Sequence, residues 1–453
     1  MEALTLLEEI NEALEAGRLA ALRALLRECN VVDIAAAMEE LSDARQLRVF
    51  RILPKDISAD VFAYLESDTQ EQLVRAITDK ELGALIDDLY LDDAVDFLEE
   101  VPANVVRRVL ALTDAETRAA INRFMSYPED SVGSVMTNEM ITLHDSLTVG
   151  EAILQIRRAV PDKETVYTCY VIGGRSRKLL GALPLHRILQ SSDDTKLTDI
   201  MEDDRQLFSV RTMDDREVAV ELARKYDLLS VPVVDSEERL VGIVTIDDII
   251  DVIEEEETED WERMAALHPS DDEYVKTGVL RMARNRLGWL LILMISASFT
   301  GAILQRYEAL LAALPILIAS IPLLTDTGGN AGCQASTLII RSMAVGELDV
   351  KDFFYVLWKE IRVALLCGAV LAAVNFGRMM LLGNVNLWQQ YLVISCTIIF
   401  TVLTAKVIGC LLPMFSKFIK IDPALMTGPM LTTVVDIITL LIYCALASAF
   451  LLK

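Results

Sequence analysis

Histidine is scarce in this 453-residue chain, which has only His144, His186 and His268. The seven cysteines (Cys29, Cys169, Cys333, Cys367, Cys396, Cys410 and Cys444) are odd in number and form no CxxC pair. Their spacing argues against structural zinc and against a disulfide framework. Soft metals therefore have few ligands, whereas oxygen ligands are abundant. There is also no nucleophile with a neighbouring base, no Walker loop and no HExxH. An ATPase or a membrane protease has no support, the chain is read as a non-enzyme, and no catalytic residue is assigned. No signal peptide is legible at the start: MEALTLLEEINEALEAG reads as an acidic amphipathic helix, so the N-terminal half is expected to stay in the cytosol.

Basic residues are deficient in one part of the chain only. Residues 1–286 hold 60 acidic against 32 basic side chains, and residues 287–453 hold 8 against 10. An acidic excess of this size excludes nucleic acid as a partner and makes cations the natural counter-species. The 53% hydrophobic content and mean hydropathy of +0.37 belong mainly to the C-terminal part, where membrane spans are expected.

Four regions follow from pattern and period. Residues 1–130 show apolar positions at three- and four-residue spacing, broken at LPKD, TDKE and VPAN, as in a helical array. Between 131 and 253 a unit of strand, helix, two strands and helix occurs twice; YVIGGRSRKLLGALPLHRIL is answered by VPVVDSEERLVGIVTIDDII. This tandem resembles a pair of CBS domains. A charged connecting helix is expected over 254–280. The transmembrane domain, 281–453, has five spans at about 287–305, 309–328, 355–382, 390–415 and 428–451. With the N-terminus inside, Arg281, Arg284, Arg286, Arg341, Lys351, Lys359, Arg362, Lys417 and Lys420 flank the cytoplasmic side. Only Arg306, Arg378 and Lys453 lie outside, as the positive-inside rule requires. The predicted fold is thus a multidomain membrane protein: an all-α N-terminal domain, α/β tandem CBS domains, a connecting helix and a five-helix transmembrane domain.

The last span, GPMLTTVVDIITLLIYCALASAFLLK, contains one carboxylate, Asp436. An ionised Asp near the centre of a span costs on the order of 2.5–3.5 kcal/mol and usually faces water or a partner. Thr432, Thr433, Asp436, Thr439 and Tyr443 share a helical face with it. In the second span and its continuation, Asn330, Gln334, Thr337 and Arg341 form another polar stripe after Gly328-Gly329, and Gly328 with Gly332 allows close helix packing. Such carboxylate, amide and carbonyl oxygens suit a hard, hydrated cation such as magnesium. One Asp436 supplies −1 against +2, which calls for a second acid or a second chain. Asp326 is expected to pair with Lys406, leaving Asp436 to meet its symmetry mate.

PLLTDTGGNAGCQASTLIIR and DPALMTGPMLTTVVDIITLLIY, following the CBS-like pair and an acidic helical region, resemble the MgtE family of magnesium channels. The resemblance implies a homodimer in the bacterial inner membrane with its pore at the subunit interface, where Asp436 holds magnesium beside Gly328, Asn330 and Thr432. It also implies closure by intracellular magnesium at Asp60, Asp92, Asp96, Glu217, Asp227, Asp248, Asp251, Glu256, Glu259 and Asp260. ATP is left open as a ligand. The second CBS-like unit has Thr245 and Asp247 in GIVTIDD, the first has GALPLHR without them, and Tyr170 reads as a core residue. The competing reading is a CBS-regulated secondary transporter of another divalent cation or a coupled solute, with Asp436 as a proton or sodium site.

Overall fold

A computed structural model describes residues 3–159, 163, 165–174, 176–201, 207–270, 274, 277–426 and 428–451. They fall into two compact units, Met1–Glu254 and Glu255–Lys453.

The first unit opens with ten short helices between Ala3 and Phe124, the longest of 13 residues. Their brevity follows from frequent capping signals. The Asn30 side chain accepts the Val32 N–H, Thr78 and Glu81 form a reciprocal capping box, and Asp114 accepts the N–H groups of Glu116 and Thr117. Each helix is too short to be stable alone, and stacking buries its apolar stripe.

Two three-stranded sheets follow. The first pairs Ile141–His144 in parallel with Thr168–Ile172, which pairs antiparallel with Leu179–Pro184. The second repeats this order with Val210–Arg211, Ser230–Val234 and Leu240–Thr245. The two CBS-like repeats contact each other through equivalent elements. Lys178 bridges Arg239, Leu179 N–H donates to the Glu238 carbonyl, Leu240 N–H donates to the Arg177 carbonyl, and Tyr170, Ile172, Leu240 and Ile243 share one apolar cluster. A larger core runs without interruption from Leu6 in the helical array to Val244, Ile249 and Val252 beside the second sheet. The helical array and the second CBS-like unit are therefore fused by apolar burial.

In the second unit, Val279–Arg306, Pro315–Ala344, Phe353–Leu382, Trp388–Phe418 and Gly428–Leu451 are the long helices. Among the described residues, four apolar segments (Val279–Arg306, Val350–Leu382, Val385–Phe418 and Gly428–Leu451) are long and apolar enough to cross a membrane. Pro315–Ala344, by contrast, carries Asp326, Asn330, Gln334 and Arg341. The second predicted span needs correction. Residues 309–328 are not one helix: Glu308–Ala313 ends at Leu314, and Pro315 starts a 30-residue helix that continues to Ala344. Proline at the first helical position lacks only an N–H that would have no partner there, so it starts this helix rather than interrupting it.

Candidate functional site

The acidic face of the first unit is built on helix Leu91–Glu100. Leu91, Ala94, Val95, Phe97 and Leu98 are buried and fix the helix's rotation, leaving Asp93, Asp96 and Glu100 on the opposite side at helical spacing. Across from them, Asp248 lies in the first turn of the helix Ile246–Met264. Its Oδ2 accepts the Thr245 hydroxyl at 2.5 Å and the Thr245 N–H at 3.3 Å, which aims the carboxylate.

Lost hydration, and then the neighbouring acids, make these groups hard to ionise. Burial pushes Asp93 up to about 6, with Asp248, Asp60, Asp247 and Glu139 adding to it. Asp96 is exposed on its outer side, and hydration lost on its inner side, with Asp93 and Asp248 next, pushes it up to about 7. Asp248 is pushed up to about 6, again by burial first, against the lowering effect of its Thr245 bond. Asp60 and Asp251 are raised in the same direction by burial. The Tyr64 phenol reports the crowding. Burial raises it first, then Asp247, Asp93, Asp251 and Asp60 do so from both sides.

The structure divides the ten predicted acidic positions among four places. Asp60, Asp96, Asp248 and Asp251 belong to this face, with Asp93 and Asp247 as members that reading the sequence missed. Asp92, chosen for its four-residue spacing from Asp96, turns inward and is 9% exposed. The apolar set from Leu91 to Leu98 was the signal that selects Asp93 instead. Glu217 lies in the first turn of Arg216–Tyr226, its N–H donating to Asp215 Oδ1, and Asp227 ends that helix in a left-handed conformation. Asp227 lines a different cleft of about 500 Å³, together with Tyr167, Tyr170, His186, Phe208 and Ser230. Tyr170 is fully buried and its hydroxyl lies 2.7 Å from Ser230 Oγ. Glu256, Glu259 and Asp260 lie on the last part of Ile246–Met264, where burial and then Asp422 push Asp260 up to about 6. Among the described residues no three Asp, Glu, His or Cys side chains converge tightly enough to hold a metal ion. A hard cation that retains its waters fits such spaced carboxylates.

In the apolar helices, glycines set how closely the backbones pack. A Cβ on Gly328 would stand 2.8 Å from Thr401 Cγ2 and 2.9 Å from Val435 Cγ1, and one on Gly329 3.1 Å from Thr432 Cγ2. Gly332 and Gly409 cross backbone to backbone, so that a methyl on Gly409 would run into the Gly332 carbonyl. This face of Pro315–Ala344 is packed against the helix that carries Asp436. Asp436 is itself half-buried, Thr432 and Thr433 donate to the Pro429 carbonyl, and the Tyr443 hydroxyl donates to the Leu317 carbonyl at 3.0 Å. The Thr401 and Thr439 hydroxyls beside Gly328 are fully buried and have no hydrogen-bond partner among the described residues.

Asn330 belongs to a different face. With Asp326, Thr327, Gln334 and Lys406 it lines a cavity of about 560 Å³, walled on the far side by Cys367 and Val370. The predicted Asp326–Lys406 ion pair is corrected. Lys406 Nζ lies 3.4 Å from Glu360 Oε2, and both side chains are buried, at 7% and 15% exposure. Glu360 falls inside the third predicted span, 355–382, and is not among the partners read from the sequence. The helix Phe353–Leu382 carries it to the level of Lys406, where a carboxylate and an ammonium neutralise each other in an apolar setting.

Three family models match the chain. The divalent cation transporter model MgtE matches residues 321–446, the MgtE intracellular N domain residues 29–130, and the CBS domain residues 197–255. A relative from Thermus thermophilus, Magnesium transporter MgtE, is 35% identical over 442 residues, 97% of each chain. A Bacillus subtilis relative of the same name is 28% identical over 439 residues, 96% of this chain and 95% of its own. Among solved structures, the cytosolic domain of the Mg2+ channel MgtE in complex with ATP superposes with a TM-score of 0.51 at 35% identity. It covers 54% of this chain and 99% of that one. The soluble part of a magnesium transporter gives 0.53 at 27% identity, over 56% and 99%. A helical N-terminal domain, a pair of CBS domains and glycine-packed apolar helices, matched end to end at this identity, make the chain a multi-pass membrane protein of the MgtE family.

Proposed function

We propose that the protein carries magnesium across the inner membrane as a channel, with its pore at the interface of a homodimer and its N-terminal domains in the cytoplasm. The observation that carries this reading is Asp436, a half-buried carboxylate in the most apolar helix, beside the Gly328-Gly329 crossing and two unpartnered hydroxyls. A single carboxylate leaves a divalent ion half neutralised, and a second chain brought up by a twofold axis supplies the other half. A hydrated ion held by one carboxylate per chain leaves readily, as conduction needs. The relatives named as magnesium transporters support magnesium as the cargo.

Gating is assigned to the acidic faces. At low magnesium the carboxylates of Asp93, Asp96 and Asp248 repel one another. At high magnesium bound ions draw their helices together and shut the pore. Such a shift requires magnesium to favour the closed arrangement, and crowded, poorly hydrated carboxylates have the charge for that. Asp60, Asp251, Glu217, Asp227, Glu256, Glu259 and Asp260 extend the sensing surface, and Asn330 supplies a polar approach to the pore.

An adenine nucleotide is assigned to the cleft lined by Tyr167, Tyr170 and His186, supported by its aromatic walls and by the relative crystallised with ATP. The Thr245 side is a poorer candidate, because its hydroxyl is committed to Asp248. A coupled transporter is the second reading, favoured by Asp326 and Lys406, the latter paired with Glu360, on the wall of one cavity among the apolar helices.

Magnesium-dependent growth of a transport-deficient strain tests the main reading. The intact chain should rescue growth and Asp436→Ala should not. A chain lacking residues 1–129 should rescue growth but lose its shut-off at high magnesium. Rescue by Asp436→Ala equal to the intact chain would overturn the pore assignment, and flux that requires a proton or sodium gradient would replace the channel with a carrier.

A further inference from the structure

The end of the connecting helix meets the turn that launches the Asp436 helix, and it does so at two successive residues. Arg263, in the last turn of Ile246–Met264, donates through Nη1 to Asp422 Oδ2 and through Nη2 to Glu259 Oε1, four residues back. All three side chains are mostly withdrawn from water, at 30%, 24% and 25% exposure. Asp422 uses its other oxygen, Oδ1, to accept the Ala424 N–H at 2.8 Å, which starts the short helix Pro423–Met426. The neighbouring residue makes the second contact. The Met264 carbonyl comes so near Gly428 that a Cβ there would stand 2.6 Å from its oxygen, and Gly428 has φ +49°. Gly428 is the first residue of Gly428–Leu451, and Asp436 follows eight residues later, about 12 Å along the axis.

Among the described residues this corner is otherwise acidic. Glu256, Glu257, Glu259 and Asp260 come from the helix and Asp422 from the turn, and Arg263 is the cation between them. Charge-assisted bonds from a guanidinium to two carboxylates are strong and directional when partly buried. A lysine could meet one of those carboxylates squarely, but not both in a fixed geometry.

We propose that Arg263 is a positioning residue of the pore: a resident cation that clamps the connecting helix to Asp422, ahead of the helix that starts at Gly428, without bound metal, and so lowers the magnesium concentration needed for closure. The inference about closure rests on the gating assigned above, whereas the clamp stands on the contacts alone. With Arg263 in place, the connecting helix is already tied to the start of the Asp436 helix, and magnesium has to close only the acidic faces further back. With Arg263 gone, Glu259, Asp260 and Asp422 repel, and magnesium must also supply this missing charge.

Two measurements on the full-length purified protein test the two parts separately. Hydrogen exchange in magnesium-free buffer reads the clamp. In Arg263→Gln and Asp422→Asn the amides of 422–428 should exchange at least tenfold faster than in the unchanged protein, with Arg263→Lys between. Magnesium flux into vesicles, measured against magnesium on the cytoplasmic face, reads closure. Arg263→Gln should need about tenfold more magnesium for half-inhibition, the effect of one lost charge-assisted bond, and Arg263→Lys less. The double variant Arg263→Gln/Asp422→Asn should fall short of the sum of the single effects. Unchanged exchange at 422–428 would overturn the clamp. Faster exchange with an unchanged half-inhibition would overturn the role in closure and leave Arg263 merely structural. If the unchanged protein shows no inhibition by magnesium, the gating reading itself falls and with it the closure part, while the exchange result still decides the clamp.

Discussion

Lys406 and Glu360 face each other 3.4 Å apart within the apolar helices, and both are largely shut off from solvent. Removing one partner leaves the other charged and uncompensated in a medium that hydrates it poorly. Lys406→Met should destabilise the purified protein by about 3–5 kcal/mol in thermal unfolding. Lys406→Met/Glu360→Gln should recover most of that loss. Recovery by Asp326→Asn in place of Glu360→Gln would show that Asp326 is the true partner.

The carboxylates of the acidic face predict a response to pH. Asp93 and Asp248 at about 6 and Asp96 at about 7 lie above the 3.8 of a free aspartate, so the folded form holds more protons between pH 4 and 7. Their neutral forms favour the folded arrangement, and that advantage is lost as pH rises through 6 to 7. In magnesium-free buffer the melting temperature of the first unit within the full-length protein should therefore rise by about 2–4 °C from pH 8 to pH 6. Magnesium should raise it more at pH 8 than at pH 6. A flat profile would mean that these acids do not crowd one another.

Substitution can rank the acids. Asp93→Asn removes a charge facing Asp248, whereas Asp92→Asn alters a side chain that turns toward the core. Asp93→Asn should raise metal-free stability and shrink the stabilisation that magnesium gives. Asp92→Asn should lower stability by about 1 kcal/mol and change the magnesium response less. Calorimetry with and without magnesium measures both, and the reverse ranking would return the site to the four-residue spacing seen in the sequence.

Close packing in the membrane helices is tested by adding a single methyl. Gly409→Ala would push against the Gly332 carbonyl and should cost about 1–3 kcal/mol. Gly377→Ala, where a Cβ would meet nothing within 4 Å, is the control and should be near neutral. Equal stabilities in a detergent melt would show that the crossing is looser than the geometry implies.

Much of this was legible in the sequence because local signals and the final fold agree. The duplicated strand and turn pattern gave both sheets, caps such as Thr78 with Glu81 gave the short helices, and the glycine spacing gave the crossing at Gly328 and Gly332. What stayed hidden depended on rotation and depth. Asp92 and Asp93 differ by one residue, and only the buried side of Leu91–Glu100 decides between them. The sequence pairs Lys406 with Asp326, and the partner is instead decided by the height of one helix against another, which no spacing within a single helix encodes. Thr245 likewise spends its hydroxyl on Asp248 rather than Asp247, because three residues at the head of a helix bring a side chain back to its cap.

Helix Val279–Arg306 packs chiefly against Gly428–Leu451, and no residue along it is buried. The first long apolar helix to leave the ribosome thus finds its main neighbour within the chain only when the last one has been made. Contacts so remote in sequence close late. On these contacts the membrane unit is not expected to be complete until its last span is made. A nascent chain stopped short of Gly428 would carry an orphan helix, open to the quality-control proteases of the bilayer, and the same segment that carries Asp436 would decide whether the newly made protein survives.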